Sequence, residues 1–277
     1  MPNIDYKTVA SFGDEWKRFD QSGMSKEEMK KVFNEYFDIF PWDALSPDAQ
    51  GFDMGCGSGR WARLVAPKVG KLHCIDPSSA IEIAKVNLLA YDNICFHNKS
   101  VDSQCLPLNS QDFGYSLGVL HHVPNTAAAI RSCVDLLKPG APLLLYLYYA
   151  FDNRPFWFRV IWKASDNLRK LIYRLPPLFK HLTTDAIALI IYMPLALLSG
   201  LFERLKFNVD SIPLSYYRKH SFYTMRTDAR DRFGTPLEQR FTRNQIVEMM
   251  ENAGLVKVCF SDSAPYWCVI GYKMHKS

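Results

Sequence analysis

The sequence predicts an α/β fold: an open, mostly parallel sheet with helices on both faces, interrupted by a long helical insertion. Three observations predict it. From Gly51 onward, short apolar runs alternate with amphipathic segments of helical period, the order of a parallel sheet built from crossovers. "APLLLYLYY" is apolar without a break, as a central strand covered on both faces must be. The alternation stops at Ala150 and resumes at "FTRNQIVEMMENAG", after which two strands follow so closely that they can only pair antiparallel.

In order, Ser25 to Phe40 reads as a helix, opened by an S-x-x-E capping box at Ser25 and Glu28 and stopped by Pro41. "GFDM" is a strand, "GRWARLVAP" a helix ending near Pro67, and "KLHCID" a strand. "SSAIEIAKVNLLAY" is a helix with a second box at Ser79 and Glu82. "NICFHN" and "DFGYSLGVL" are strands, and "NTAAAIRSCVDLLKPG" is a helix stopped by Pro139 and Gly140. The last helix opens with a T-x-x-Q box at Thr242 and Gln245, and the strands "LVKVCFSD" and "YWCVIGYK" close the chain. The domains expected are an N-terminal helical cap over 1–48, a core over 49–150 and 241–277, and an insertion over 151–240.

At 277 residues, 48% of them hydrophobic, the chain has a core's worth of apolar side chains and no tract that argues for disorder. Seven cysteines without C-x-x-C spacing argue against zinc and disulfides, and so for reduced thiols in the cytoplasm. "MPNIDYKTVA" has no apolar core of a secretory leader. No H-x-x-x-H or H-E-x-x-H pattern occurs, so no metal is expected.

The chemistry is concentrated in "GFDMGCGSGR". Its glycines, Gly55, Gly57 and Gly59, read G-x-G-x-G. A dinucleotide fingerprint needs G-x-G-x-x-G, and a phosphate-cradling Walker loop needs a Lys-Ser or Lys-Thr that is absent. The loop still lets backbone approach a ligand at the carboxyl end of the first strand. Twenty-one residues after Gly55, the next strand ends in Asp76, whose carboxylate can accept from both hydroxyls of a ribose. Asp102 in "SVDS" follows the third strand and can accept from an adenine amino group; Ser116 and Gly118 are small where the fourth strand ends. Ribose and adenine are provided for and a diphosphate is not. The cofactor that fits is S-adenosylmethionine.

"FDMGCGSGR", "HCIDPS", "SVDSQCLPL", "GYSLGVLHHVP" and "LLKPGAPLLLYLY" resemble, in order and spacing, the motifs of class I S-adenosylmethionine-dependent methyltransferases of the small-molecule, type 11-like kind. The resemblance covers Ala49 to Ala150 and resumes from Phe241. It implies a Rossmann-like, mostly parallel sheet of seven strands with an antiparallel last strand. It also implies that Asp53, Gly55, Cys56, Gly57 and Gly59 line the methionine and ribose part of the cofactor. Asp76 and Pro77 would then hold the ribose, Val101 and Asp102 the adenine, and Leu117 and Gly118 the sulfonium region. "YSLG" stands where amino-methylating enzymes of adenine or glutamine carry [DN]-P-P-[YF], which argues against those targets.

Other candidates are weighed against plainer roles. Cys56 reads as loop lining, since direct transfer from a sulfonium needs no nucleophile on the protein. His121 and His122 end the fourth strand; packing under the sheet edge is the default, and His122 is the better candidate for acid/base work. Trp16 and Phe12, in "SFGDEWKRF", either fold over the cofactor or pin a surface helix. Strand alternation sends Tyr146 and Tyr148 one way and Tyr149 the other. Tyr149 and Asn153, at the active edge, and Tyr223, Arg226 and Arg230, in the insertion, are candidate acceptor contacts.

The insertion carries about 15 Lys and Arg against 8 Asp and Glu between Phe151 and Arg240, whereas the whole chain is +5. It also holds "AIALIIYMPLALLSGLF", Ala186 to Phe202, without a charge. A buried helix pair capping the site is the favoured reading, ahead of peripheral membrane or oligomer contact and of a true span, which Pro194 would kink. A basic, aromatic cap suggests a small or lipid-linked, anionic acceptor; its long apolar stretches argue against RNA. The expected reaction is in-line displacement at the sulfonium methyl, with a base needed only where the acceptor must lose a proton. The rivals are a nicotinamide enzyme, a fold that binds the cofactor without catalysis, and an RNA methyltransferase.

Overall fold

The structure, a computed structural model, describes residues 2–209, 212–265 and 267–275. It divides into two compact units. The first comprises Met1–Lys17, Lys30–Ala150 and Leu237–Ser277; the second comprises Arg18–Met29 and Phe151–Pro236.

The first unit is built on a sheet of seven strands: β1 (Gln50–Met54), β2 (Lys71–Ile75), β3 (Ile94–His97), β4 (Phe113–Leu117), β5 (Pro142–Tyr146), β6 (Leu255–Phe260) and β7 (Cys268–Lys273). They lie in the order β3-β2-β1-β4-β5-β7-β6. The first five are parallel, and β7 runs antiparallel to both β5 and β6. The mostly parallel seven-stranded sheet expected from the sequence is therefore observed. Alternation along β1 sends Phe52 and Met54 into the core that α5 (Thr126–Leu136) and α10 (Arg243–Asn252) cover. The opposite face is covered by α2 (Lys26–Tyr36), α3 (Ala62–Val65) and α4 (Ala80–Asn87) through Phe33, Phe37, Val65 and Ile81. The N-terminal helix α1 spans Tyr6–Arg18.

The capping boxes fare differently. Thr242 and Gln245 form a complete box. Ser25 accepts from the Glu28 amide at 3.1 Å, but the Glu28 carboxylate bonds Ser221 and Thr224 instead of returning to Ser25. The Ser79–Glu82 box does not form. Ser79 has helical backbone angles and makes no capping bond, and Ser78 Oγ accepts from the Ala80 amide instead. α2 ends at Tyr36 rather than Phe40, because Phe37 and Phe40 turn inward to pack with Trp42.

The second unit holds α6 (Phe156–Ile172), α7 (Pro177–Ile187), α8 (Met193–Arg204) and α9 (Phe222–Gly234). α6 and α7 pack on α9, and α8 on the turn Ser215–Lys219, around Ile172, Ile187, Tyr192, Met225 and Phe233. A π-helical stretch, Ala188–Tyr192, joins α7 and α8 into one helix from Pro177 to Arg204. This wider turn lets the helix run through Pro194, which has no N–H to give. The expected buried helix pair is thus a single helix, and 28% of its apolar stretch is buried.

One buried cation ties the last strand to a helix end. Lys273 Nζ donates to Asn109 Oδ1 at 2.8 Å and to the carbonyls of Val134 at 2.8 Å and Leu137 at 2.9 Å, at the C-terminus of α5. A helix C-terminus favours positive charge and leaves carbonyls in need of donors. Lys273→Met keeps the length and deletes the donors, so it should cost about 2–3 kcal/mol. The exposed Lys138–Asp112 pair is worth under about 1 kcal/mol, so Lys138→Met is the control. Urea unfolding followed by circular dichroism measures both; equal midpoints for the two variants would count against the capping role.

Candidate functional site

The glycine loop leaves the carboxyl end of β1. Gly55, Gly57 and Gly59 have φ of +83°, +53° and +80°, the left-handed region that favours glycine. The loop is pinned to β2. The Gly55 and Cys56 amides donate to Ile75 O at 2.7 and 3.2 Å, and the Gly57 amide donates to Asp76 Oδ2 at 2.9 Å. Asp76 Oδ1 accepts from the Ser78 amide at 2.8 Å and from Ser78 Oγ at 2.6 Å. Asp76 therefore organises both loops it joins, and burial pushes its carboxyl above the usual range against those bonds. A carboxylate has about four acceptor positions and three are used, so Oδ2 retains one.

Asp53 lies in the middle of β1, opposite Tyr115 of β4, and is 1% exposed. Burial raises its pKa to about 8; the neighbouring Asp76 adds to the rise, while Tyr115 and Arg60 oppose it. Its Oδ2 is buried without a hydrogen-bond partner. Such an atom is costly unless something else reaches it. Cys56 is buried, and desolvation drives its thiol well above the ordinary value, so it is a neutral lining group.

Over the loop lies α1. A Cβ at Gly57 would come within 3.1 Å of Trp16 Nε1, and one at Gly13 within 2.6 Å of Ser79 Oγ. Arg60 lies over the Trp16 ring at 5.9 Å. Phe12 meets His122 edge-on at 5.0 Å. Both aromatics picked out in "SFGDEWKRF" thus lie in the first unit against the loop and the end of β4.

A narrow cleft runs beside the loop. Met54, Gly55, Ile75, Pro77, Val101 and His122 line it, and the N-terminal segment from Asn3 to Val9 forms one wall. Asn3 has no sequence signature of its own. Its amide donates to Asp102 Oδ2 at 2.7 Å, and its side chain exchanges two bonds with the backbone of Asn125, both at 2.8 Å. Asp102 is exposed and accepts also from Ser100 Oγ, so its carboxylate is held by its own chain on both oxygens. Leu117 and Gly118 end β4; Gly118 turns with φ of +80° and donates to Tyr146 O at 3.1 Å.

His121 and His122 part company. His121 is wholly buried and stacked on Tyr148 at 3.8 Å, and desolvation holds its pKa well below 6.5. His122 lines the cleft, and its Nδ1 lies 2.6 Å from Leu237 O. A carbonyl only accepts, so Nδ1 carries the proton and a neutral His122 keeps its basic lone pair on Nε2. Tyr146 packs on Tyr36 and Tyr148, whereas Tyr149 meets Trp267 and bridges Phe241. That bridge brings both ends of the insertion together at the edge of the first unit.

In the second unit, Asn153 is exposed. The Tyr223 hydroxyl accepts from the Gln21 amide at 2.9 Å. Arg226 grips Asp185 with two bonds of 3.0 Å, and Arg18 shares that carboxylate. Arg230 is 1% exposed and packs against Gly234. The last three side chains hold the second unit together. Among the described residues, no group of three or more His, Cys, Asp or Glu is gathered for a metal.

Comparison with known proteins agrees with this geometry. Residues 52–140 match the family model described as "Methyltransferase domain". The chain is similar to ubiquinone biosynthesis O-methyltransferases. That of Nitrosospira multiformis is 28% identical over 105 residues, covering 37% of this chain and 42% of that one. That of Hahella chejuensis is 22% identical over 180 residues, covering 63% and 73%. The first of these matches spans less than half the relative's length. Among solved structures, a SAM-dependent methyltransferase from Methanosarcina mazei superposes with a TM-score of 0.50 at 17% identity, covering 84% of this chain and 96% of that one. The CurJ carbon methyltransferase gives 0.55 at 15%, covering 98% and 62%. Residues 52–140 thus match a methyltransferase domain, and the seven-stranded sheet with β7 reversed is the fold of class I S-adenosylmethionine-dependent methyltransferases, which implies S-adenosyl-L-methionine as cofactor.

Proposed function

We propose that the protein transfers a methyl group from S-adenosylmethionine to a small or lipid-linked acceptor. The observation that carries the reading is the Gly57–Asp76 bond, which presents a left-handed glycine loop and a carboxylate together at the carboxyl ends of β1 and β2. The residues fit the cofactor in two further respects. Backbone is bare at Gly57, where a Cβ would sit 3.1 Å from Trp16 Nε1 at a φ of +53°, and the buried Asp53 Oδ2 suits a cation. In this reading Asp76 Oδ2 accepts from a ribose hydroxyl and Pro77 and Val101 wall the base. Asp102 borders it, Leu117 and Gly118 flank the sulfonium region, and Trp16 covers the loop.

Bound S-adenosylmethionine supplies an electrophilic methyl on a sulfonium, open to in-line displacement. The chain's part is to exclude water and align the acceptor, because charge disperses as the methyl moves. The O-methylation named for the relatives favours an oxygen acceptor here. A hydroxyl must lose its proton to become reactive, and His122 Nε2 is the base we assign. Within the first unit, we keep Tyr149 as an acceptor contact. Arg226 and Arg230 are engaged within the second unit and are not assigned to the acceptor.

Calorimetric titration tests the cofactor. S-adenosylmethionine should bind and a nicotinamide dinucleotide should not; the reverse would overturn the reading. Release of S-adenosylhomocysteine across a panel of hydroxylated acceptors tests the reaction. Gly57→Val and Asp76→Ala should each weaken cofactor binding by about 1–3 kcal/mol while circular dichroism stays native. Unchanged affinity in both would remove the assignment.

Asp53 gives a pH signature. Its folded pKa of about 8 exceeds the ordinary 3.8, so the stability linked to its proton is fully present below about pH 4. It declines as pH rises toward 8, because the unfolded chain has then lost a proton that the folded chain keeps. Asp53→Asn should flatten that part of the thermal-stability profile. Binding a cation beside Asp53 should also release protons near pH 7, measured as a dependence of the titration enthalpy on the buffer. No buffer dependence would place the cationic end elsewhere.

His122→Gln should lower kcat by about 10²-fold with cofactor affinity unchanged. A variant with full turnover on a hydroxyl acceptor would assign the proton transfer to another group.

A further inference from the structure

The second unit carries a helix that is apolar on both sides. From Pro177 to Arg204, the inward face buries Ile187, Tyr192 and Ala196 together with Lys180, Thr184 and Ser199. Asp185, on the same helix, bonds Arg18 and Arg226. The outward face holds no charge to match. Every exposed residue from Leu178 to Leu201 is apolar, and the large ones are strongly exposed: Leu182 at 57%, Ile190 at 70%, Leu197 at 67% and Leu201 at 53%. An amphipathic helix of a globular protein puts its apolar stripe inside. Here a stripe of about 35 Å, at 1.5 Å per residue, faces out. α6 repeats the feature with exposed Phe156, Trp157, Val160 and Ile161.

Charge selects among the partners that could cover such a face. Cations frame it: Arg174 precedes the helix, Arg204 and Lys206 end it, and Arg159 and Lys163 stand on α6 among the exposed apolar residues. In a two-fold pairing of helices running in opposite directions, Arg174 of one copy would meet Arg204 and Lys206 of the other, like against like. An anionic lipid surface instead meets the cations with phosphate and the stripe with acyl chain, and exposed Trp suits the boundary between them. The helix is long and apolar enough to span a bilayer. The ion pair of Asp185 with Arg226 of α9, however, ties its inner side to a charged helix that would have to follow it into hydrocarbon.

We propose that the outward face of the Pro177–Arg204 helix, aided by α6, docks the protein on an anionic bilayer. The helix lies in the plane of the membrane at the headgroup–acyl boundary. This inference is independent of the methyl-transfer reading: it uses no residue of the glycine loop, and its test needs no acceptor.

Flotation of the full chain with vesicles tests it, because aggregates sink while vesicle-bound protein rises. Vesicles of phosphatidylcholine containing phosphatidylglycerol should carry the protein upward, and phosphatidylcholine alone should carry much less. Raising the salt should weaken the effect. Arg204→Gln and Lys206→Gln should each lower the partition coefficient by about fivefold, the loss expected for one cation near an anionic surface. Ile190→Glu with Leu197→Glu, both on the exposed face, should abolish flotation while circular dichroism and S-adenosylmethionine binding stay as in the parent. Three outcomes overturn the proposal: a double variant that floats like the parent, flotation indifferent to phosphatidylglycerol, or no flotation of the parent. If the parent also proves dimeric by light scattering and the double variant monomeric, a second copy of the chain covers the face instead.

Discussion

The Asp76 carboxylate is the constraint on which the site depends. One oxygen holds the Gly57 amide and the other holds the amide and hydroxyl of Ser78. Two loops from neighbouring parallel strands are thus locked by a single side chain at the edge where such sheets bind ligands. The cost is a desolvated acid beside a second buried acid, Asp53, whose pKa rises to about 8. Two carboxylates in one dry pocket cannot both be ionised cheaply. The site's electrostatics and its backbone geometry therefore have the same origin.

Much of this was legible in the sequence because it is local. The fifth strand is a continuous apolar run, the other strands alternate with helical segments, and the glycines and Asp76 sit at fixed distances from strand ends. The antiparallel closure followed from the short link between the last two strands. What escaped the sequence is long-range. Nothing near Asn3 announces that it bonds Asp102 and Asn125, about a hundred residues away, and walls the cleft. The Glu28 carboxylate abandons its local box for Ser221 and Thr224 because a tertiary partner outcompetes the helix end.

The apolar stretch of the insertion was read correctly as exceptional and wrongly as buried. Composition reports how apolar a segment is; which side of the helix faces the protein depends on partners elsewhere, here Arg18 and Arg226 around Asp185. Pro194 misled for a similar reason, since a π-helical turn absorbs it. The histidine pair shows the opposite case. Adjacent in sequence, His121 and His122 differ because a one-residue step around a turn carries one ring into the core and the other to the cleft.

The position of β7 has a consequence for how the chain is made. β5 pairs with β4 on one side and with β7 on the other, and β7 comes far downstream of β5 in the chain, after the whole insertion. Until Cys268–Lys273 leaves the ribosome, one edge of β5 has its backbone donors and acceptors unmet. An open apolar strand edge is a template for pairing with another chain. During that interval the ribosome also delivers the helix from Pro177 to Arg204, whose outward face is apolar. The nascent chain thus displays two adhesive surfaces at once. Such exposed surfaces make a partly folded chain prone to aggregate before the sheet closes.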